Sequence, residues 1–129
     1  MAIPITAVTA ALLGLVFVVL SIRVIRLRRE NSVSLGDGGN EALQRAIRGH
    51  GNCAEYAPVG ILLLLIAELQ GANATWLLIV AAALLLGRAA HGYAFGFTTN
   101  NPPLRVSGMI LTFGAILSLA ATNLVLVFY

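Results

Sequence analysis

Residues 3–25 read IPITAVTAALLGLVFVVLSIRVI, and this stretch decides the fold. Its one charged residue is Arg23, two positions from its end. A bilayer hydrocarbon core of about 30 Å is crossed by roughly 20 apolar residues in a helix, so the stretch predicts a transmembrane span. A secretory leader would carry a basic residue before its apolar run and a small-residue cleavage site after it. Here no basic residue precedes the run and arginines follow it, which reads as a retained span.

Working outward, three further segments are long and apolar enough to cross, which places the spans at about 3–25, 42–69, 76–97 and 104–128. Together they take up most of a 129-residue chain that is 59% hydrophobic and 10% charged, with a mean hydropathy of +0.92. In lipid every backbone polar group must be satisfied internally, which favours helices. The expectation is an all-α, integral membrane four-helix bundle forming a single domain over residues 1–129, with no room for a soluble domain. Gly36-Asp37-Gly38-Gly39 marks a loop after the first span, and Asn40 is placed to cap the second helix. Gln70-Gly71-Ala72-Asn73 reads as a tight turn, and Pro102-Pro103 prepares a helix starting at Leu104. Such short connections make antiparallel neighbours.

The net charge of +3 comes from eight arginines and no lysine. Arg23, Arg26, Arg28, Arg29, Arg45 and Arg48 flank the first loop, Arg88 and Arg105 lie toward the third, and the second loop has none. By the positive-inside rule, loops one and three face the cytoplasm and both termini face the other side. Cations gathered at a membrane face are not the footprint of a nucleic-acid binder. For most of Arg23, Arg26, Arg28 and Arg29 the default role is snorkelling to anionic headgroups. Cys53 is the one cysteine, so neither an intrachain disulfide nor a cysteine metal cluster can form. His50 and His91 lie on separate spans without a carboxylate pattern, and no metal site is expected. Phosphate-loop, Gly-x-Ser-x-Gly and His-Glu-x-x-His motifs are absent.

The second span is unusually polar. Glu41, Arg45, Arg48, Asn52 and Glu55 fall within a sector of about 80° on a helix turning about 100° per residue. Each charge at bilayer depth costs about 2.5–3.5 kcal/mol, so the stripe must face a wet cavity, charged partners or the bundle interior. Two readings stay open on the pattern alone. Arg45 with Glu41 and Arg48 with Glu55 neutralise each other as scaffold, or the stripe is a site. Arg88, His91 and Phe95 form a weaker stripe on the third span, with Tyr93 pointing elsewhere. Tyr56, Tyr93 and Ser107 supply hydroxyls whose ordinary role is an interhelical or interfacial hydrogen bond. Pro58 lies mid-span and is expected to open a crevice beside the polar stripe.

These residues resemble the MAPEG family, the membrane-associated proteins in eicosanoid and glutathione metabolism. Arg48-x-x-x-Asn52-Cys53-x-Glu55-Tyr56-x-Pro58 is similar to the family signature, and especially to its leukotriene synthase branch. Val24-Ile25-Arg26-Leu27-Arg28-Arg29, Gly87-Arg88-x-x-His91 and Leu104-Arg105 resemble the prostaglandin E synthase and microsomal glutathione transferase branches. Phe95 stands where several members place a tyrosine, and Gly51 where the prostaglandin branch has a basic residue.

The resemblance implies a homotrimer with glutathione as co-substrate between neighbouring subunits near the cytoplasmic helix ends. It implies Arg26 and Arg48 on the glutathione carboxylates, Asn52 and Tyr56 on its backbone, Glu55 on its ammonium, and Arg88 and His91 in the pocket wall. Arg105 is the implied catalytic residue, holding the thiol as thiolate for attack on a lipophilic electrophile or a lipid hydroperoxide. The implied setting is a bacterial inner membrane with the site toward the cytoplasm. A non-catalytic lipid-binding scaffold, also represented in the family, is the alternative, and a small transporter or channel subunit ranks below both.

Overall fold

The helices start where a side chain can accept the backbone N–H groups that a first turn leaves free. Asn40 Oδ1 accepts from Leu43 N at 2.8 Å, Asn73 Oδ1 from Trp76 N at 3.0 Å and Asn101 Oδ1 from Leu104 N at 3.1 Å. In the computed structural model, which describes residues 2–128, the elements are α1 (Pro4–Glu30), α2 (Glu41–Leu69), α3 (Ala74–Gly96) and α4 (Pro102–Phe128). The single domain expected over 1–129 thus extends one residue beyond the described ones at either end. All four helices are long and apolar enough to cross a membrane, and the protein is an integral multi-pass bundle.

Three boundaries differ from the sequence reading by two residues or more, α3 beginning at Ala74 rather than at 76. The loop expected from Arg26 begins after Glu30, because arginines in the last turn of α1 favour the negative helix end and need no loop to be solvated. Both Pro102 and Pro103 lie inside α4 rather than before it, since a first-turn residue needs no N–H partner. Asn40 caps α2 as expected, and Gly71, at φ +79°, carries the tight turn between α2 and α3.

The helices form a rhombus. α2 and α3 touch each other and both flanking helices, while α1 and α4 do not touch among the described residues. Leu13, Leu20, Leu64, Leu77, Leu84 and Leu119 fill the common core, and Leu27, Leu43 and Ala46 close a smaller one under the first loop. Outward leucines such as Leu15 and Leu117 stay exposed and meet lipid.

In lipid, helices associate through close packing at small residues rather than through hydrophobic burial. Here α3 and α4 cross at Gly87 and Gly108: a Cβ built on Gly87 would stand 2.8 Å from the Gly108 carbonyl oxygen. That approach sets the depth at which the polar residues of α3 and α4 meet. At the other end Glu68, near the end of α2, reaches the start of α1, accepting from Ile5 N at 2.9 Å and Thr6 N at 2.7 Å.

Candidate functional site

Arg88 gives the bundle interior its chemical character. It is fully buried on α3, and every nitrogen of its guanidinium has a partner. Nε donates to Thr112 Oγ1 of α4 at 2.9 Å. Nη1 donates to the side-chain oxygen of Asn52 on α2 and, at 3.4 Å, to the Asn52 backbone carbonyl. Nη2 lies 3.1 Å from Met109 Sδ, and the guanidinium carbon sits 5.3 Å from the centre of the Tyr56 ring. The donors are satisfied, but no carboxylate is among the partners. Neutral dipoles and a ring quadrupole therefore hold a full positive charge inside the membrane.

Beside it, a cleft of about 410 Å³ opens between α2, α3 and α4, with Arg48, Asn52, Tyr56, His91, Phe95 and Arg105 on its walls. The structure thus brings together five of the eight residues singled out from the sequence. Arg105, at the start of α4, is exposed, and its guanidinium carbon lies 5.5 Å from the centre of the Phe95 ring. It forms no ion pair among the described residues. His91 is buried, lies 4.9 Å from Phe95 between ring centres, and its Nδ1 has no hydrogen-bond partner among the described residues. Tyr56 meets Phe113 edge-on across the cleft at 5.5 Å. Arg88 stands behind this wall rather than in it, reached through Asn52 and Tyr56.

The ionic stripe divides. Arg45 pairs with Glu41 at 3.6 Å, and Arg48 pairs with Glu55 at 3.3 Å. The latter two side chains keep 59% and 55% of their surface accessible, so this pair lies on the outside of the single bundle. Asn52 alone of the stripe is buried.

Arg26 is held apart. It lines a separate cleft of about 250 Å³ on the α1–α3 side with Val19, Ile22, Arg23 and Phe97. Because α1 does not touch α4, Arg26 does not share the Arg105 cleft within one chain. Two of its neighbours fasten backbone rather than only anchoring lipid: Arg23 Nε donates to the Gly96 carbonyl at 2.8 Å, and Arg28 Nη1 to the Gly36 carbonyl at 2.7 Å.

The remaining polar residues have ordinary roles. His50 packs at a tilt against Phe17 with ring centres 4.6 Å apart, Tyr93 stacks on Phe97, and the Ser107 hydroxyl donates to its own helix at Leu104. The crevice beside Pro58, about 280 Å³, opens on the α1 side among apolar residues and not beside the polar stripe. Sequence reasoning passed over Thr112 and Met109. Nothing in the α4 sequence distinguishes them, since their role comes from a helix that the chain reaches only through the third loop.

Comparison with known proteins agrees with this architecture. The MAPEG family model matches residues 6–125. Inner membrane protein YecN of Escherichia coli strain K12 is 42% identical over 121 residues, spanning 93% of this chain and 90% of the relative. The YecN protein of E. coli O6:H1 strain CFT073 matches to the same extent.

Proposed function

The chain belongs to the MAPEG family, and from that premise we propose that it is a membrane-bound glutathione-dependent transferase or peroxidase acting on lipophilic electrophiles. The observation that carries the reading is the composition of the α2–α3–α4 cleft. Its polar wall offers two arginines, an amide and a phenol, and behind it stands Arg88 with no counter-charge. Such a wall is matched by a ligand that brings carboxylates and a sulfur anion.

Glutathione has two carboxylates, one ammonium and one thiol. Arg48 takes a carboxylate through charge-assisted hydrogen bonds, Asn52 and Tyr56 bind the peptide backbone, and Glu55, already beside Arg48, receives the ammonium. His91 closes the wall. Arg105 holds the sulfur: a nearby cation lowers a thiol pKa from its free value of about 8.5 and enlarges the thiolate fraction at neutral pH. The thiolate attacks the electrophilic carbon and forms a C–S bond, while the carbon's bond to the leaving group breaks and its electron pair departs with that group. With a lipid hydroperoxide, two glutathiones become the disulfide while the peroxide is reduced to alcohol and water. The apolar residues Val106, Ile110 and Phe113 line the cleft where a lipophilic substrate would enter from the bilayer.

Arg26 completes the set only from a second copy, because its own α1 is remote from its own α4. The exposed Arg48–Glu55 pair on the outside of the bundle supports the same arrangement, a homotrimer with glutathione between subunits. With relatives named for the inner membrane and the arginines gathered at one face, we place the chain in a bacterial inner membrane with the cleft toward the cytoplasm.

A lipid-binding scaffold that ignores glutathione is favoured by one observation, an apolar furrow of about 490 Å³ between α1 and α3 lined by residues such as Leu12, Val16, Leu86 and Tyr93. Glutathione titration of the purified protein in detergent separates the two. Saturable binding that weakens about tenfold or more in both Arg48→Ala and Glu55→Ala supports the enzyme, at the scale of one hydrogen bond to a charged group. Absence of binding to the wild-type protein supports the scaffold.

A further inference from the structure

A second basic site lies away from the cleft, where α1 ends at the first loop. Ile25, Arg28, Arg29, Ser32, Val33 and Ser34 line an open groove of about 370 Å³ there. From this geometry we propose that the site binds the phosphate headgroup of an anionic membrane phospholipid, independently of any role in glutathione chemistry.

The cleft is shaped by the loop rather than left to it. Arg28 Nη1 donates to the Gly36 carbonyl at 2.7 Å, and Asn40 Nδ2 to Asn31 Oδ1 at 2.9 Å, so the middle and the far end of the loop are tied to the end of α1. With Arg28 engaged, Arg29 remains as the open cation: it is exposed and forms no side-chain hydrogen bond or ion pair among the described residues. Ser32 and Ser34, both exposed, set two hydroxyls on the same cleft. A guanidinium beside two hydroxyls offers donors to a phosphate diester, and none of the six lining residues is acidic.

The backbone contributes a second observation. The end of α1 is closed by Val33 N to the Arg28 carbonyl at 2.9 Å and Ser32 N to the Arg29 carbonyl at 3.3 Å. This closure puts residue 32 in the left-handed region, where glycine is the usual choice, yet the residue is Ser32 at φ +53°. A side chain that strains its own backbone is most economically explained by what its hydroxyl binds.

The surroundings identify the phosphate as a lipid's. Ile25, 48% exposed, lines the cleft on the α1 side, and Leu35, 88% exposed, follows Ser34 in the loop. A bare apolar side chain in a cationic cleft at the end of a span, with a second next to it in sequence, fits the boundary between headgroups and acyl chains, where anionic lipids attract basic residues.

The test uses the full-length protein in detergent, with native mass spectrometry of adducts formed with phosphatidylglycerol or phosphatidylcholine and glycerol phosphate as a soluble competitor. The expected result is saturable phosphatidylglycerol binding, preferred over phosphatidylcholine and resistant to glycerol phosphate. Arg29→Gln should weaken it roughly fivefold, the effect of one interfacial cation. Ser32→Gly should weaken it while leaving the thermal midpoint equal or higher, because glycine relieves the left-handed strain. Equal binding of the two lipids, or unchanged binding in both variants, overturns the proposal. Displacement by glycerol phosphate also overturns it, assigning the cleft to a soluble phosphate compound.

Discussion

Arg88 and Asn52 are joined in a way that leaves one orientation for the amide. A guanidinium has only donors, so the hydrogen bond from Arg88 Nη1 requires the Asn52 oxygen and turns its nitrogen the other way. Asn52 lines the α2–α3–α4 cleft, and its Nδ2 has no partner among the described residues. The asparagine thus presents donors to the cleft, and the group it meets there must be an acceptor. Buried Arg88 thereby sets which group Asn52 turns toward the cleft.

That arrangement depends on α4. Thr112 Oγ1 accepts from Arg88 Nε at 2.9 Å while its own proton goes to the Gly108 carbonyl at 2.8 Å. Thr112→Val keeps the shape and removes the acceptor, leaving a buried charged donor unsatisfied at a cost of about 1–3 kcal/mol. Thr112→Ser should recover most of the loss. Thermal unfolding in detergent reads both, and a Val variant as stable as wild type would show that Arg88 does not need this bond.

Arg105→Ala should reduce turnover of a model electrophile by about a hundredfold, the scale on which one donor to a developing anion acts. The pH profile gives the sign. A cation stabilises thiolate and lowers the thiol pKa, so its removal moves the rise of activity to higher pH, toward the free thiol value near 8.5. Arg105→Lys should fall between the two. Ultraviolet absorbance of the bound thiolate checks the shift directly, and an unmoved profile in the Ala variant would assign activation to another residue.

Gly87→Ala would bring a Cβ to 2.7 Å from Thr112 Oγ1 and 2.8 Å from the Gly108 carbonyl. The second of these is backbone, so α3 and α4 must separate, and overpacking of this kind costs about 1–3 kcal/mol. Gly114→Ala, with nothing within 4 Å of the added methyl, should be neutral or slightly stabilising, because alanine is the better helix former. Parallel thermal melts compare them, and equal midpoints would contradict the close crossing.

At the opposite face, Glu68→Ala removes the acceptor for Ile5 N and Thr6 N, which acts as the cap of α1 supplied from 62 or 63 residues away. Loss of a cap costs about 0.5–2 kcal/mol. Glu68→Gln retains one side-chain oxygen and should lose less. Hydrogen exchange at the first turn of α1 would report the change, with no effect expected around the distant Arg105 cleft.

Much of the protein could be read from its residues taken one span at a time. Apolar runs matched to bilayer thickness determined four helices, and the asparagine placed before the second run determined where α2 begins. Helical periodicity placed Arg48 and Asn52 on one face and His91 with Phe95 on another, because these are properties of a single helix and need no neighbour. What only the tertiary structure decided is how the faces meet. The Gly87–Gly108 crossing sets Thr112 against Arg88, Arg88 orients Asn52, and the rhombic packing leaves Arg26 on the far side from Arg105. Those relations arise between helices joined through loops, where a change of one residue in register or a few ångströms in approach redirects a side chain, and no periodicity within one helix encodes them.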